Sequence, residues 1–212
     1  PVVSSVVVLS YASFRAALAD VDRILQADPL AIEIIDDKIL RLARNDPVWG
    51  GLGEALGDLG NAASLLFVEF AGEVGADVTA AIAALTARLD ADPGAVSSVN
   101  VLDAPSAVAS VWDLRRQSVG LLGALEGRRR ASPFVEDCAV PPENLPGFAD
   151  GFREILDRHG LDFGMFGHAD VGCLHVRPTL DLIEPSTDRC SSVKSSSASC
   201  AASRRHSIQK TS

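Results

Sequence analysis

The chain has 212 residues, 47% of them apolar and 22% charged, enough for one domain of mixed structure or two small ones. Its net charge of -9, with a pI of about 4.8, argues against nucleic acid as a partner: such a footprint needs clustered cations, and the one dense cluster, Arg128, Arg129 and Arg130, reads as a solvated helix end. No apolar run approaches the roughly 20 residues of a transmembrane segment, and four cysteines without CxxC spacing (Cys138, Cys173, Cys190, Cys200) indicate neither a disulfide framework nor a zinc knuckle, but a reducing, cytoplasmic setting.

Val-rich residues 1–10 predict a buried strand. Phe14, Leu18, Val21 and Leu25 then recur at helical spacing, and Pro29 ends that helix. An extended piece, Ala31–Ile35, leads into a second helix that carries Asp36, Asp37 and Lys38. Residues 47–60 are rich in glycine and read as a loop or lid. Residues 64–71 (SLLFVEFA) form a strand, Val78, Ile82, Leu85 and Leu89 mark a helix, and Val96–Leu102 is another strand. A long helix over residues 107–125 is followed by an extended stretch, 134–140. Leu145, Phe148, Phe152, Ile155 and Leu156 mark one more helix, and residues 163–177 close the ordered part as a hairpin.

A strand–helix–strand unit followed by hairpins implies an α+β fold. Its expected form is an antiparallel sheet with helices packed on one face, in ferredoxin-like fashion. No G-x-G-x-x-G or P-loop occurs, so no dinucleotide phosphate is cradled in the usual way. The expected domain spans residues 1–182. Residues 183–212 hold ten serines and no aromatic residue, and are expected to be a disordered tail.

Two constellations carry chemistry. The first is GHADVGCLHVRP, residues 167–178. With a two-residue turn at Val171 and Gly172, His168 faces His175, and the same register sets Phe166 against Arg177. Two opposed imidazoles can hold one divalent ion. The opposite face, with Met165, Gly167, Ala169, Leu174 and Val176, is apolar. The bland alternative is a pair of part-exposed histidines at a sheet edge. Two of the chain's four histidines falling opposite each other beside an arginine favour a metal or anion site. His159, at a helix C-terminus, and His206, in the tail, read as structural or incidental.

The second constellation is a helical stripe of Val108, Val111, Trp112, Val119 and Leu122, with Arg115 at its centre and Arg116 at its edge. A cation on a buried face needs an anionic partner. The sequence leaves two readings open: a salt bridge to a core carboxylate such as Glu69, Glu136 or Asp137, or a bidentate clamp for a substrate carboxylate.

WDLRRQSVGLL (112–122), FVEDCAVPPENL (134–145) and GHADVGCLHVRP together resemble the C-terminal domain of FAD-linked oxidases. D-lactate dehydrogenases, glycolate oxidase subunits and D-2-hydroxyglutarate dehydrogenases belong there. The last two segments are most similar to large proteins that fuse such a flavoprotein to an iron–sulfur oxidoreductase. The resemblance implies that this domain caps FAD bound by a separate N-terminal domain. It implies that His168 and His175 bind zinc or manganese, and that Arg115 meets the carboxylate of a 2-hydroxy acid oxidised by hydride transfer to flavin. Arg177 stands where many relatives have Asn and becomes a second candidate substrate contact.

Between the histidines, Asp170, Val171, Gly172 and Cys173 replace a common Gly-Asp-Gly-Asn. The family's later Glu-His-Gly-x-Gly, which the resemblance makes the source of a further ligand and the base, does not occur, so no catalytic base is assigned. A start at Pro1 and the altered composition after Leu182 lead to the expectation of an inactive fragment lacking its FAD-binding domain, with an iron–sulfur domain of the same polypeptide as a further expected partner. The alternatives are a free-standing metal- or small-molecule-binding module and a truncated gene product.

Overall fold

A computed structural model describes residues 2–57, 59–123, 129–133 and 135–181. Leu182, the expected tail at 183–212 and His206 lie outside the described residues.

The first half of the chain builds a four-stranded unit. Strand β1 (Val3–Tyr11) is followed by helix α1 (Phe14–Leu25), β2 (Ala31–Ile35), α2 (Asp37–Arg44), α3 (Trp49–Leu56), β3 (Ser64–Gly72), α4 (Gly75–Ala91) and β4 (Val96–Leu102). The order β4-β1-β3-β2, antiparallel at each contact, is the ferredoxin-like arrangement. The second half adds α5 (Pro105–Gly123), β5 (Arg130–Ala131), β6 (Val135–Ala139), a 3-10 turn (Pro142–Asn144), α6 (Leu145–Arg158), β7 (Phe163–His168) and β8 (Cys173–Leu180). Strand β7 joins the free edge of β2, and β8 lies beside β7. Arg130 thus opens strand β5 and is not part of a helix end.

The α+β class and the antiparallel sheet are as expected, but the helices lie on both faces. Alternation along β1 shows why. Val7, Leu9 and Tyr11 face a core closed by α1, α4 and α6, whereas Val6 and Val8 face a second core closed by α2, α3 and α5. A strand with no polar residue between Val6 and Leu9 cannot leave either side in water, and all four are fully buried.

The glycine-rich stretch read as a loop contains helix α3. Three glycines cost it intrinsic helicity, at about 1 kcal/mol each. Burial of Leu52 and Leu56 on α5 offsets that cost. The small residues also permit close approach: a Cβ on Gly51 would stand 3.0 Å from Ser110 Oγ. Elsewhere local signals hold. Ser13 Oγ accepts from Ala16 N at the start of α1 (3.1 Å), and Val78, Ile82, Leu85 and Leu89 are the buried stripe of α4.

Asp36 ties the two halves together. Its carboxylate accepts from Ile39 N (3.0 Å), capping α2, and from Met165 N (2.7 Å), while its own N–H donates to Met165 O (3.0 Å). Burial pushes this acid up to about 7, against which the two backbone donors and Arg153 act. Among the described residues, no helix is long and apolar enough to cross a membrane.

Candidate functional site

Three rows of residues cross the face of the sheet that α5 partly covers. Register places Glu33 of β2 opposite His168 of β7, and His168 opposite Cys173 of β8. The next row is Ile35, Phe166 and His175; the third sets Gly164 against Arg177. Residues two apart on a strand share a face, so Cys173, His175 and Arg177 project together, beside His168 and Phe166.

The hairpin register differs from the expected one by two residues. Ala169 N donates to Ile32 O (2.7 Å), and Ala169 is buried in the first core, so it pairs with β2 instead of facing Leu174. Four residues, Ala169 to Gly172, therefore make the turn. Gly172 takes φ 71°, and a Cβ there would lie 1.7 Å from Val140 O. A shift of two keeps every side chain on its face. The histidines thus still converge, diagonally instead of directly opposed, with ring centroids 5.3 Å apart.

Helix α5 is rotated relative to the expected stripe. Val108, Val111, Leu114, Ser118, Leu121 and Leu122 are buried, while Trp112 and Val119 are half-buried, so Arg115 stands at the flank of the stripe and not at its centre. From there its Nε donates to Glu33 Oε2 (2.5 Å), and its guanidinium lies 4.9 Å from the centroid of the Phe166 ring. The three carboxylates weighed as partners are engaged elsewhere: Glu69 accepts from Ser4, Glu136 pairs with Arg177, and Asp137 meets His175. Arg116 is exposed and pairs with Asp113 at 2.7 Å.

Glu33 is the residue the sequence reading missed. Its other oxygen lies 2.5 Å from His168 Nδ1, so one carboxylate, 10% exposed, joins the histidine to the arginine. The signal was present in AIEII, a lone carboxylate in an otherwise apolar buried strand. Such a group, fixing Nδ1, leaves Nε2 as the free donor of His168.

Strand β6 supplies the opposite wall through a bulge. Val135 pairs with Val176 and Cys138 with Leu174, so Glu136 and Asp137 together face the single residue His175. Asp137 takes φ 57°, a conformation that short polar side chains tolerate, and brings Oδ1 to 3.0 Å from His175 Nδ1. Asp137 Oδ, Cys173 Sγ and a ring nitrogen of His175 all lie within 4.8 Å of one another. Burial, with Arg115 and His168 adding to it, pushes His175 below its ordinary value, which favours the neutral imidazole that can bind a metal. Burial, then Asp137, pushes the Cys173 thiol up. Arg177 lies 6.0 Å from the Phe166 centroid, so both guanidiniums flank one ring. His159 caps the C-terminus of α6, away from this site.

A family model described as FAD linked oxidases, C-terminal domain, matches residues 1–194, which runs past the boundary drawn at residue 182. The D-2-hydroxyglutarate dehydrogenase of Pantoea ananatis (strain AJ13355) is 40% identical over 191 residues, covering 87% of this chain and 19% of that protein. That of Pseudomonas putida (strain KT2440) is 43% identical over 178 residues, covering 82% and 18%. The chain thus spans less than a fifth of the length of the curated relatives it matches. Among solved structures, an alkyldihydroxyacetonephosphate synthase aligns with a TM-score of 0.55 at 14% identity, over 84% of this chain and 36% of that one. A 4-ethylphenol oxidase from Gulosibacter chungangensis aligns with a TM-score of 0.51 at 11% identity, over 86% and 40%. These two show the shared fold alone.

Proposed function

The chain belongs to the FAD linked oxidase C-terminal domain family, and from that premise we propose that it forms the substrate-holding part of a flavoprotein that oxidises a D-2-hydroxy acid. The observation that carries this reading is the convergence of His168 and His175 beside two guanidiniums, Arg115 and Arg177, around the Phe166 ring. FAD, held mainly by other parts of the protein, accepts the electrons of the oxidation when bound. The resemblance to fusion proteins extends the proposal to an iron–sulfur segment of the same polypeptide.

The donor set fits a divalent cation. Two imidazoles and a carboxylate face one another across β6, β7 and β8. His168 through Nε2 and His175 would hold the ion, which when bound polarises the substrate hydroxyl as a Lewis acid. The chain's own residues do the rest. Glu33 fixes the tautomer and angle of His168. Arg115 and Arg177 present cations to carboxylates, each kept in place by a carboxylate of its own, Glu33 or Glu136. Phe166 keeps both cations against an apolar wall that excludes water from one side. Two cations suit a dicarboxylic 2-hydroxy acid better than a monocarboxylic one, the class named by the D-2-hydroxyglutarate dehydrogenase relatives.

Calorimetric titration of the 212-residue chain with zinc and with manganese tests this, comparing wild type with His168→Ala and His175→Ala. Each substitution is expected to weaken binding by about 10-fold or more. Equal affinities in all three proteins would remove the metal assignment. With the metal-loaded chain, D-2-hydroxyglutarate is expected to bind more tightly than D-lactate, and Arg177→Met to narrow that difference. A difference that both Arg115→Leu and Arg177→Met leave unchanged would return the arginines to a purely structural role.

A further inference from the structure

We propose that Cys173 is a thiolate ligand of this centre and that it strengthens the site's preference for zinc over manganese. The inference rests on the metal reading above and adds a ligand that reading did not contain. Three donors, Cys173 Sγ, a His175 ring nitrogen and an Asp137 carboxylate oxygen, lie within 4.8 Å of one another. A tetrahedral ion with ligands about 2.0–2.3 Å away separates its donors by roughly 3.3–3.8 Å. Closing the remaining distance takes about 1 Å of side-chain rotation, within reach of one χ1 adjustment.

The backbone favours such a closure. Cys173 and His175 are two apart on β8, which is paired on both flanks by β7 and β6, so their separation and direction are fixed by the sheet. Asp137 comes from the β6 bulge directly across from His175, where its positive φ aims the carboxylate at the imidazole. Cys173 is a free thiol that sits opposite His168 in register and two residues from His175 on the same strand face, so it neighbours both histidine positions. Asp137 is 80% exposed, which places the three-donor group at an open mouth. With His168 and His175 the thiolate makes three protein ligands, and the exposed Asp137 stands at the fourth position, the one a substrate can take, which is the pattern of a zinc site that receives substrate.

Donor chemistry then decides the metal. An imidazole and carboxylate set already binds zinc more tightly than manganese, and a thiolate widens that gap because it favours the softer ion. The two histidines by themselves give the smaller preference; the sulfur adds the rest.

Cobalt(II) serves as the spectroscopic probe, added to the 212-residue chain. Wild type is expected to show a sulfur-to-cobalt charge-transfer band in the near ultraviolet. Cys173→Ala and Cys173→Ser should lack the band. In chelator competition both variants should bind zinc about 10-fold or more weakly than wild type, with manganese affinity unchanged. Two variants guard against a loss caused by misfolding, which far-ultraviolet circular dichroism reports separately. Cobalt bound without the band, or zinc lost in His175→Ala but retained at wild-type strength in Cys173→Ala and Cys173→Ser, overturns this inference and leaves the histidine centre standing. No cobalt or zinc binding by wild type overturns both.

Discussion

Replacing Glu33 by Gln tests the link between the arginine of α5 and the histidine of β7. The carboxylate is 10% exposed and its arginine partner 15%, with Nε and Oε2 2.5 Å apart. Gln keeps one acceptor oxygen, so one of the two contacts becomes donor against donor, and the cation of Arg115 loses its neutralising charge. Stripping one partner from a buried pair costs about 3–5 kcal/mol. His168 is 44% exposed and can turn toward water, so it adds little to that cost. The expected loss is therefore near the lower end, about 3 kcal/mol, which for a chain of this size lowers Tm by roughly 6–12 °C. Thermal and urea unfolding followed by circular dichroism would measure it. The double variant Glu33→Gln with Arg115→Met removes both charges and should be less destabilised than the sum of the singles, with a coupling of about 1–3 kcal/mol. A Glu33→Gln protein within about 0.5 kcal/mol of wild type, or strictly additive losses, would refute the bridge.

Asp36 is pushed from 3.8 up to about 7 by burial, so its folded value lies above its unfolded one. The stability tied to its proton is complete below the unfolded value and is lost as pH rises toward about 7. The stability difference between wild type and Asp36→Ala should therefore widen as pH falls from about 7 to about 5; a constant difference contradicts the assignment. Gly172→Ala forces a Cβ to 1.7 Å from Val140 O at a φ of 71°, and should cost more than about 3 kcal/mol in denaturant unfolding and release the hairpin. Gly151→Ala, on an exposed face of α6 with nothing within 4 Å of the new methyl, should instead raise stability by about 0.5–1 kcal/mol. A loss on that substitution would mean the face is not free.

Most elements were legible because each announces itself locally. The stripe of α4, the strand SLLFVEFA and the hairpin's apolar face follow from periods of 3.6 and 2, which side-chain geometry imposes on any core. The helix α3 was not legible, because its glycines report intrinsic propensity while its stability comes from burying Leu52 and Leu56 against a helix nearly 60 residues onward. The helix α5 was legible as a helix but not in its rotation. Trp112 and Val119 look as apolar as Leu114 and Leu121, and only the sheet beneath decides which pair is buried.

The sequence alone determined the class, the antiparallel sheet and the pairing of two histidines on one polar face, since a strand's alternation survives a two-residue slip in register. Tertiary structure decided everything that depended on distant segments meeting. Glu33 and Arg115 are 82 positions apart, and their ion pair exists because β7 docks against β2 while α5 crosses the same face. The bulge that turns Asp137 toward His175 is likewise a property of three paired strands. Neither contact has a local signature, because long-range pairing is fixed by which buried faces must be covered, and that is settled only when the whole sheet has closed.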